Sequence, residues 1–171
     1  LMDFSEFRET ERAVVENLDA SNFPPLFLVW LERGNASHSG RVHSRVKKRF
    51  EDGEPSIVDA VQRLSALTGR AAACVRQSSN VVASALPELM NLNFAIRREL
   101  FDDDELGVLN LEMVRVLRDE CGYGVKFAGS GGACVVAGVD DTGEELLART
   151  CRARGWKYER IAIHPPHHAT V

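Results

Sequence analysis

The sequence predicts an α+β fold, a mostly antiparallel four-stranded sheet covered by a layer of helices. Between residues 40 and 120 apolar residues recur every three or four positions, the spacing of one face of a helix. After residue 123 the period changes: residues 124–128 and 133–139 are short, small-residue and β-branched runs separated by Gly129, Ser130, Gly131 and Gly132. Such a pattern reads as strand, glycine turn, strand. A further apolar run at residues 23–31, carrying Pro24 and Pro25, supplies one strand from the start of the chain. Helices followed by adjacent strands, joined by one early strand, give the order of an α+β sandwich and not of alternating βα units.

The elements follow in order. Residues 1–22 are acidic and polar with few periodic apolar positions, and read as an arm that leans on something else. Residues 25–31, rich in Leu, Phe, Val and Trp, read as a short buried strand, and residues 34–40 as a small-residue loop. From Gly40, Val42, Val46 and Phe50 recur every four residues while Arg41, Arg45, Lys47, Lys48 and Arg49 cover the rest, predicting a helix that Asp52 and Gly53 end. Pro55 opens a second helix, because a proline at the first helical position gives up no needed N–H. It carries Ile57, Val61 and Leu64 on one face, with Gly69 near its stop. Pro87 is expected in the first turn of a third, with Leu89, Leu92, Ile96 and Leu100 in one row and Met90, Phe94 and Phe101 in the adjacent one. A fourth follows Gly107 and carries Leu109, Met113 and Val116. Thr142 or Asp141 caps a helix through Arg152, and residues 158–163 read as the last strand. No internal repeat or linker interrupts the chain.

Composition narrows the function. With 171 residues, 44% hydrophobic and 27% charged, the chain is long enough and apolar enough for a single domain with its own core. Twenty-one Lys and Arg against 25 Asp and Glu leave a net charge of −4, so no global field attracts nucleic acid. The nine-residue apolar run at 23–31 is about half of what crosses a bilayer, so no membrane partner is expected. The first residues lack the apolar core and basic lead of a secretory signal, which points to the cytoplasm or an organelle matrix. Cys74, Cys121, Cys134 and Cys151 form no CxxC pair and read as reduced packing residues. His164, His167 and His168 surround Pro165 and Pro166 with no carboxylate or thiolate beside them, so a frayed tail is expected and no metal site.

Three features could carry chemistry. In the turn Gly129, Ser130, Gly131 and Gly132, main-chain N–H groups can approach an anion with no Cβ in the way. No Gly-Lys-Ser/Thr follows, Cys134 replaces the last glycine of GxGxxG, and the turn enters a strand where those motifs enter a helix. An ordinary glycine-rich hairpin is the other account. The second feature is Ser37, His38, Ser39, Gly40, Arg41, Val42, His43 and Ser44, small hydroxyl residues at a helix start followed by cations. A carboxylate or phosphate would be stabilised there, and a capped, solvated basic face explains it equally. The third is Asn91, Asn93, Arg97 and Arg98; Asn93 and Arg97, four apart, share a face and can hold a polar ligand or the neighbouring loop. The acidic run Asp102, Asp103, Asp104 and Glu105 reads as a solvated cap ahead of Leu106.

Taken together, Glu88 to Phe94 (Glu-Leu-Met-Asn-Leu-Asn-Phe), the helix over residues 106–116 and the stretch Lys126, Phe127, Ala128, Gly129, Ser130, Gly131, Gly132, Ala133 resemble the C-terminal half of GHMP-type small-molecule kinases. Within that superfamily the likeness is to the glucuronokinase branch. It rests on Met2-Asp3-Phe4, Pro24-Pro25-Leu26, Ser39-Gly40-Arg41-Val42-His43-Ser44 and Leu109-Asn110-Leu111-Glu112-Met113-Val114, and extends to about Gly138. The resemblance implies a ferredoxin-like GHMP C-terminal domain over residues 23–163, an arm over 1–22 continuing from a missing N-terminal lobe, and a tail over 164–171. It implies ATP- and Mg2+-dependent phosphoryl transfer to the anomeric hydroxyl of glucuronate, giving the 1-phosphate. The ATP-cradling loop and catalytic Asp belong to the N-terminal lobe, which is the expected partner, so no catalytic residue is expected here and the fragment alone should be inactive. Gly129, Ser130, Gly131 and Gly132 are then expected on the cofactor side, and Ser39, Gly40, Arg41, Asn93 and Arg97 on the side of a sugar-acid substrate. Arg41 stands where relatives have Lys.

Overall fold

The computed structural model describes residues 1–3, 11–32, 39–101, 103–129 and 131–164, with residues 39–43 through their backbone alone. The expected arm contains a short antiparallel ribbon, β1 (Met2–Asp3) paired with β2 (Val14–Val15). Leu1 N donates to the Glu16 carbonyl at 2.7 Å, and the Glu16 carboxylate meets the Arg76 guanidinium at 2.5 Å. The arm therefore leans on the helical layer. A 3-10 turn at Ala20–Asn22, capped by Asp19, leads into β3 (Phe27–Leu31).

Five helices of one to six turns follow, then strands. They are α1 (Ser39–Glu51), α2 (Pro55–Cys74), α3 (Ser79–Leu100), the short α4 (Asp103–Leu106) and α5 (Val108–Arg115), which continues as one π-helical turn over Val116–Glu120. Then come β4 (Gly124–Phe127), β5 (Ala133–Ala137), α6 (Asp141–Arg154) and β6 (Trp156–Arg160). The sheet order is β4-β5-β3-β6, and all its pairings are antiparallel. Alternation along the strands puts Phe27, Val29, Val125, Phe127, Cys134 and Val136 into the core against Ile57, Phe94, Met113, Leu117 and Leu147. All four cysteines are free thiols, and Cys74, Cys134 and Cys151 are buried.

Several expected boundaries move. Pro87 lies inside α3, which begins at Ser79, and not in its first turn. A proline in a helix interior loses a hydrogen bond and crowds the preceding turn, at a cost of about 3 kcal/mol. Here its ring fills a strip left bare by two glycines: a Cβ on Gly124 would stand 2.2 Å from Pro87 Cα, and one on Gly138 would stand 3.2 Å from Pro87 Cγ. Gly69 does not stop α2, which runs on through three alanines, good helix formers, to the buried Cys74. The predicted row of α1 breaks at Phe50, which is 43% exposed while Val46 packs on the core; the side chain of Val42 lies outside the described residues. Leu109 is exposed at the start of α5, and Leu92 lies at the margin of the α3 contact. The α6 cap is Asp140, one residue before the expected pair: its Oδ1 accepts from Gly143 N at 2.7 Å and from Thr142 Oγ1 at 2.9 Å. The last strand begins at Trp156, because Gly155 takes the left-handed conformation that ends α6 and turns the chain back at once.

Candidate functional site

The glycine turn is held from four sides. Ala128 N donates to Ala133 O at 3.0 Å across the turn, and Leu31 N donates to Gly132 O at 3.2 Å, tying it to β3. From α5, Asn110 Oδ1 accepts from Gly132 N at 2.9 Å while its Nδ2 donates to Leu106 O at 2.7 Å. Asn110 is 5% exposed, the one buried polar residue recorded among those described. Its hydrogen bonds explain its burial. Gly131 has a φ of +137°, and a Cβ there would come within 2.8 Å of Asn110 Nδ2. Gly132, at φ +82°, and Gly129 have no atom within 4 Å of where a Cβ would stand. The turn is thus packed on one side at Gly131 and open at its two neighbours. Ser130 lies outside the described residues.

The fourth side is α3, which runs beside β4 in step with it. Pro87 abuts Gly124. Asn91 Oδ1 accepts from Val125 N at 2.9 Å, and its Nδ2 donates to Tyr123 O at 3.4 Å. Phe94 meets Phe127 edge to face with centroids 5.3 Å apart, and Arg97 Nη2 donates to Gly129 O at 2.9 Å. The match is geometric: ten helical residues rise about 15 Å, and five strand residues rise about 16 Å.

Arg97 and Lys126 are both half-buried on this flank. The Arg97 guanidinium lies 5.8 Å from the Phe101 ring centroid, and Lys126 Nζ donates to Phe127 O at 3.1 Å. Burial lowers the pKa of Arg97 from its ordinary value; burial and then the charge of Arg97 lower that of Lys126. Neither has a carboxylate partner among the described residues. Asn93 Oδ1 is buried without a hydrogen-bond donor. Cys134 lies opposite Phe127 on the neighbouring strand, and burial raises its thiol pKa, so it stays protonated.

Of the residues singled out in the sequence, the structure brings Arg97 to the turn of Gly129, Gly131 and Gly132, and places Asn93 one helical turn before Arg97 on α3. Arg97 holds the neighbouring loop, as its spacing allowed. Asn91 instead closes the edge of β4, and Arg98 turns away to pair with Asp103 at 2.6 Å. Ser39, Gly40 and Arg41 form the first turn of α1, but their side chains lie outside the described residues. The acidic run supplies α4, where Glu105 pairs with Arg45; Asp102 lies outside the described residues. His164 is exposed, and His167 and His168 lie outside the described residues. Sequence reasoning missed Asn110 and Lys126 as site residues. The signal for Asn110 was a polar side chain in the buried row with Leu106, Met113 and Val114. For Lys126 it was a lone charge inside an apolar strand.

No family model matches the chain. It is 39% identical over 169 residues to glucuronokinase 1 of Arabidopsis thaliana and 38% identical over 169 residues to probable glucuronokinase 2 of the same plant. In each case 96% of this chain and 44% of the relative are covered, so the chain spans under half the length of the curated relatives it matches. Its fold is similar to that of L. major mevalonate kinase in complex with R-mevalonate, with a TM-score of 0.69 at 17% identity, covering 92% of this chain and 47% of that one. It is also similar to the Lin0012 protein from Listeria innocua, with a TM-score of 0.64 at 16% identity, covering 95% of this chain and 45% of the other. Sequence and fold comparisons agree: over nearly its whole length the chain is similar to a part, 44%, of two glucuronokinases, and its fold is that of part of a mevalonate kinase.

Proposed function

We propose that the chain is the C-terminal part of an ATP-dependent sugar kinase that phosphorylates D-glucuronate at its anomeric hydroxyl, giving glucuronate 1-phosphate. The observation that carries this reading is the glycine turn, braced by Asn110 and Arg97 and flanked by two half-buried cations without carboxylate partners. Phosphoryl transfer is catalysed largely by positioning, which the braced turn supplies on the phosphate side, while the two cations suit an anionic acceptor beside it. On this reading ATP is the phosphoryl donor. The bare backbone at Gly129 and Gly132 fits close approach of phosphate oxygens or of the loop that holds them. Magnesium has no fitting donor set here: no group of three or more His, Cys, Asp or Glu is arranged for a metal among the described residues, so its ligands are assigned to the N-terminal lobe.

On this reading residues 23–163 form the domain, residues 1–22 lead in from the N-terminal lobe, and residues 164–171 are a tail. The substrate side comprises Ser39, Gly40, Arg41, Asn93 and Arg97. Among the described residues no helix is long and apolar enough to cross a membrane. The 171-residue chain alone should transfer no phosphate.

The test is an acceptor panel on the full-length protein containing this chain, with the product's phosphate position read by phosphorus NMR. Glucuronate 1-phosphate formed in preference to phosphorylated neutral sugars or mevalonate is the expected result. Preference for another alcohol replaces the acceptor and keeps the kinase. Absence of phosphoryl transfer to every acceptor returns the chain to a non-catalytic ligand-binding module.

A further inference from the structure

Arg49, Arg97, Arg118 and Lys126 are the half-buried Lys or Arg residues among those described. Arg49 pairs with Glu54 at 2.5 Å and Arg118 with Asp119 at 2.6 Å. Among the described residues Arg97 and Lys126 hydrogen-bond only to backbone carbonyls, those of Gly129 and Phe127. Lys48, Arg70, Arg149 and Arg152 also have no carboxylate partner among the described residues, but all are exposed and solvated. A cation half out of water with no counter-charge is unfavourable in the empty protein, and a bound anion removes that cost.

Helix α3 adds the third group. Asn93 lies one helical turn before Arg97 on the same face of α3, and Lys126 is near enough to Arg97 for that charge to lower its pKa. Its Oδ1, buried and without a donor, requires an N–H or O–H. The flank thus offers two cationic donors and one bare acceptor. A phosphate or pyrophosphate group ionised at neutral pH meets the cations and leaves the acceptor orphaned. A neutral sugar meets the acceptor and leaves the cations unpaired. A sugar acid meets all three.

We propose that Arg97, Lys126 and Asn93 are the specificity-determining residues for an acidic, hydroxyl-bearing acceptor: the guanidinium and ammonium take its carboxylate, and Asn93 Oδ1 accepts from a hydroxyl of the same molecule. The inference rests on the kinase reading and deepens it by naming the atoms that select a sugar acid. Lys126 is new to the site, and the carboxylate goes to the α3–β4 flank and not to Arg41 alone.

The experiment measures equilibrium binding of glucuronate and of glucuronamide, its uncharged amide, to the full-length protein by ligand-observed NMR without nucleotide, alongside KM for glucuronate and for ATP. Wild type should favour glucuronate, and Arg97→Gln and Lys126→Met should each weaken glucuronate tenfold or more while leaving glucuronamide and the ATP KM within about twofold. Asn93→Leu should weaken both sugars without lowering Tm, since it deletes an unsatisfied buried group; Arg97→Lys should restore part of the loss. Three outcomes overturn the proposal: weakened ATP with glucuronate unchanged, which gives the cations to the nucleotide phosphates; selective loss of glucuronate in Arg41→Ala but not in the flank variants; or no change in either ligand. Because sugar binding is read without turnover, a protein that binds sugar acids through this flank but transfers no phosphate defeats the kinase reading and spares this one.

Discussion

The two edges of the sheet are closed by opposite means. At the β4 edge α3 covers the backbone directly: Pro87 fills the space over Gly124, Asn91 satisfies Val125 N and Tyr123 O, and Arg97 reaches the turn. At the β6 edge no helix among the described residues performs this task. Trp156 is buried there, while Lys157, Glu159 and Arg160 are exposed, and the cations carry counter-charges, Lys157 with Glu32 at 3.4 Å and Arg160 with Glu144 at 3.9 Å. Exposed, mixed charge is how a free strand edge discourages further strand pairing. One edge is therefore closed in geometry and open in charge, the other open in geometry and balanced in charge. The difference teaches where to look for a ligand: unpaired cations are tolerated in water at no cost, but held against a helix they mark a place that something anionic completes.

The largest effect should come from Gly124→Val. Its Cβ would lie 2.2 Å from Pro87 Cα, a backbone atom that cannot turn aside, so α3 and β4 must part. A loss of about 3 kcal/mol or more in denaturant unfolding is expected, whereas Glu159→Thr on the exposed β6 edge should stay within about 0.5 kcal/mol. Equal effects at the two edges would break the comparison. Next is Gly131→Ala, which combines a left-handed φ of +137° with a 2.8 Å approach to Asn110 Nδ2. It should cost about 1–3 kcal/mol of stability. In the full-length protein the bulkier Gly131→Val should also cut turnover per folded molecule by about two orders of magnitude, because a displaced turn misplaces whatever it supports. Stability loss with unchanged turnover per folded molecule would reduce the turn to a hairpin.

Lys126→Met sharpens the comparison by opposing stability to function. Folding lowers the Lys126 pKa from its ordinary 10.5, through burial and Arg97, so the unfolded chain holds the proton more tightly. Between the lowered value and 10.5 the unfolded state binds more protons, and stability rises with pH across that window. Lys126→Met should flatten this rise and stabilise the protein slightly at neutral pH, while weakening sugar-acid binding. A destabilised variant with the slope unchanged would show that the ammonium is satisfied where it stands. The smallest effect is expected for Lys157→Ala, whose exposed ion pair with Glu32 should contribute under about 0.5 kcal/mol and vanish in high salt. A loss of more than 1 kcal/mol, read in the same unfolding titration, would mean that the β6 edge depends on its charges for more than solubility.

The sequence alone determined the elements and their kinds, because those depend on neighbours a few residues away. Four-residue rows announced α2 and α3, and the period change after Tyr123 announced β4 and β5. The glycines of the turn announced a chain reversal that other residues cannot make. Even the likeness to glucuronokinases was readable, since short motifs that are each weak alone carry it in their order. What the tertiary structure decided was which local rules could be overridden and which polar groups had partners. Pro87 belongs in a helix interior only because Gly124 and Gly138, far along the chain, vacate the space it needs. Asn110 is buried because Gly132 N and Leu106 O meet it there, and Arg97 and Lys126 become unpaired cations only once α3 has taken them partly out of water. Propensity is a property of a segment. Burial, satisfaction and uncompensated charge are properties of two segments brought together, and the candidate site is made of the latter.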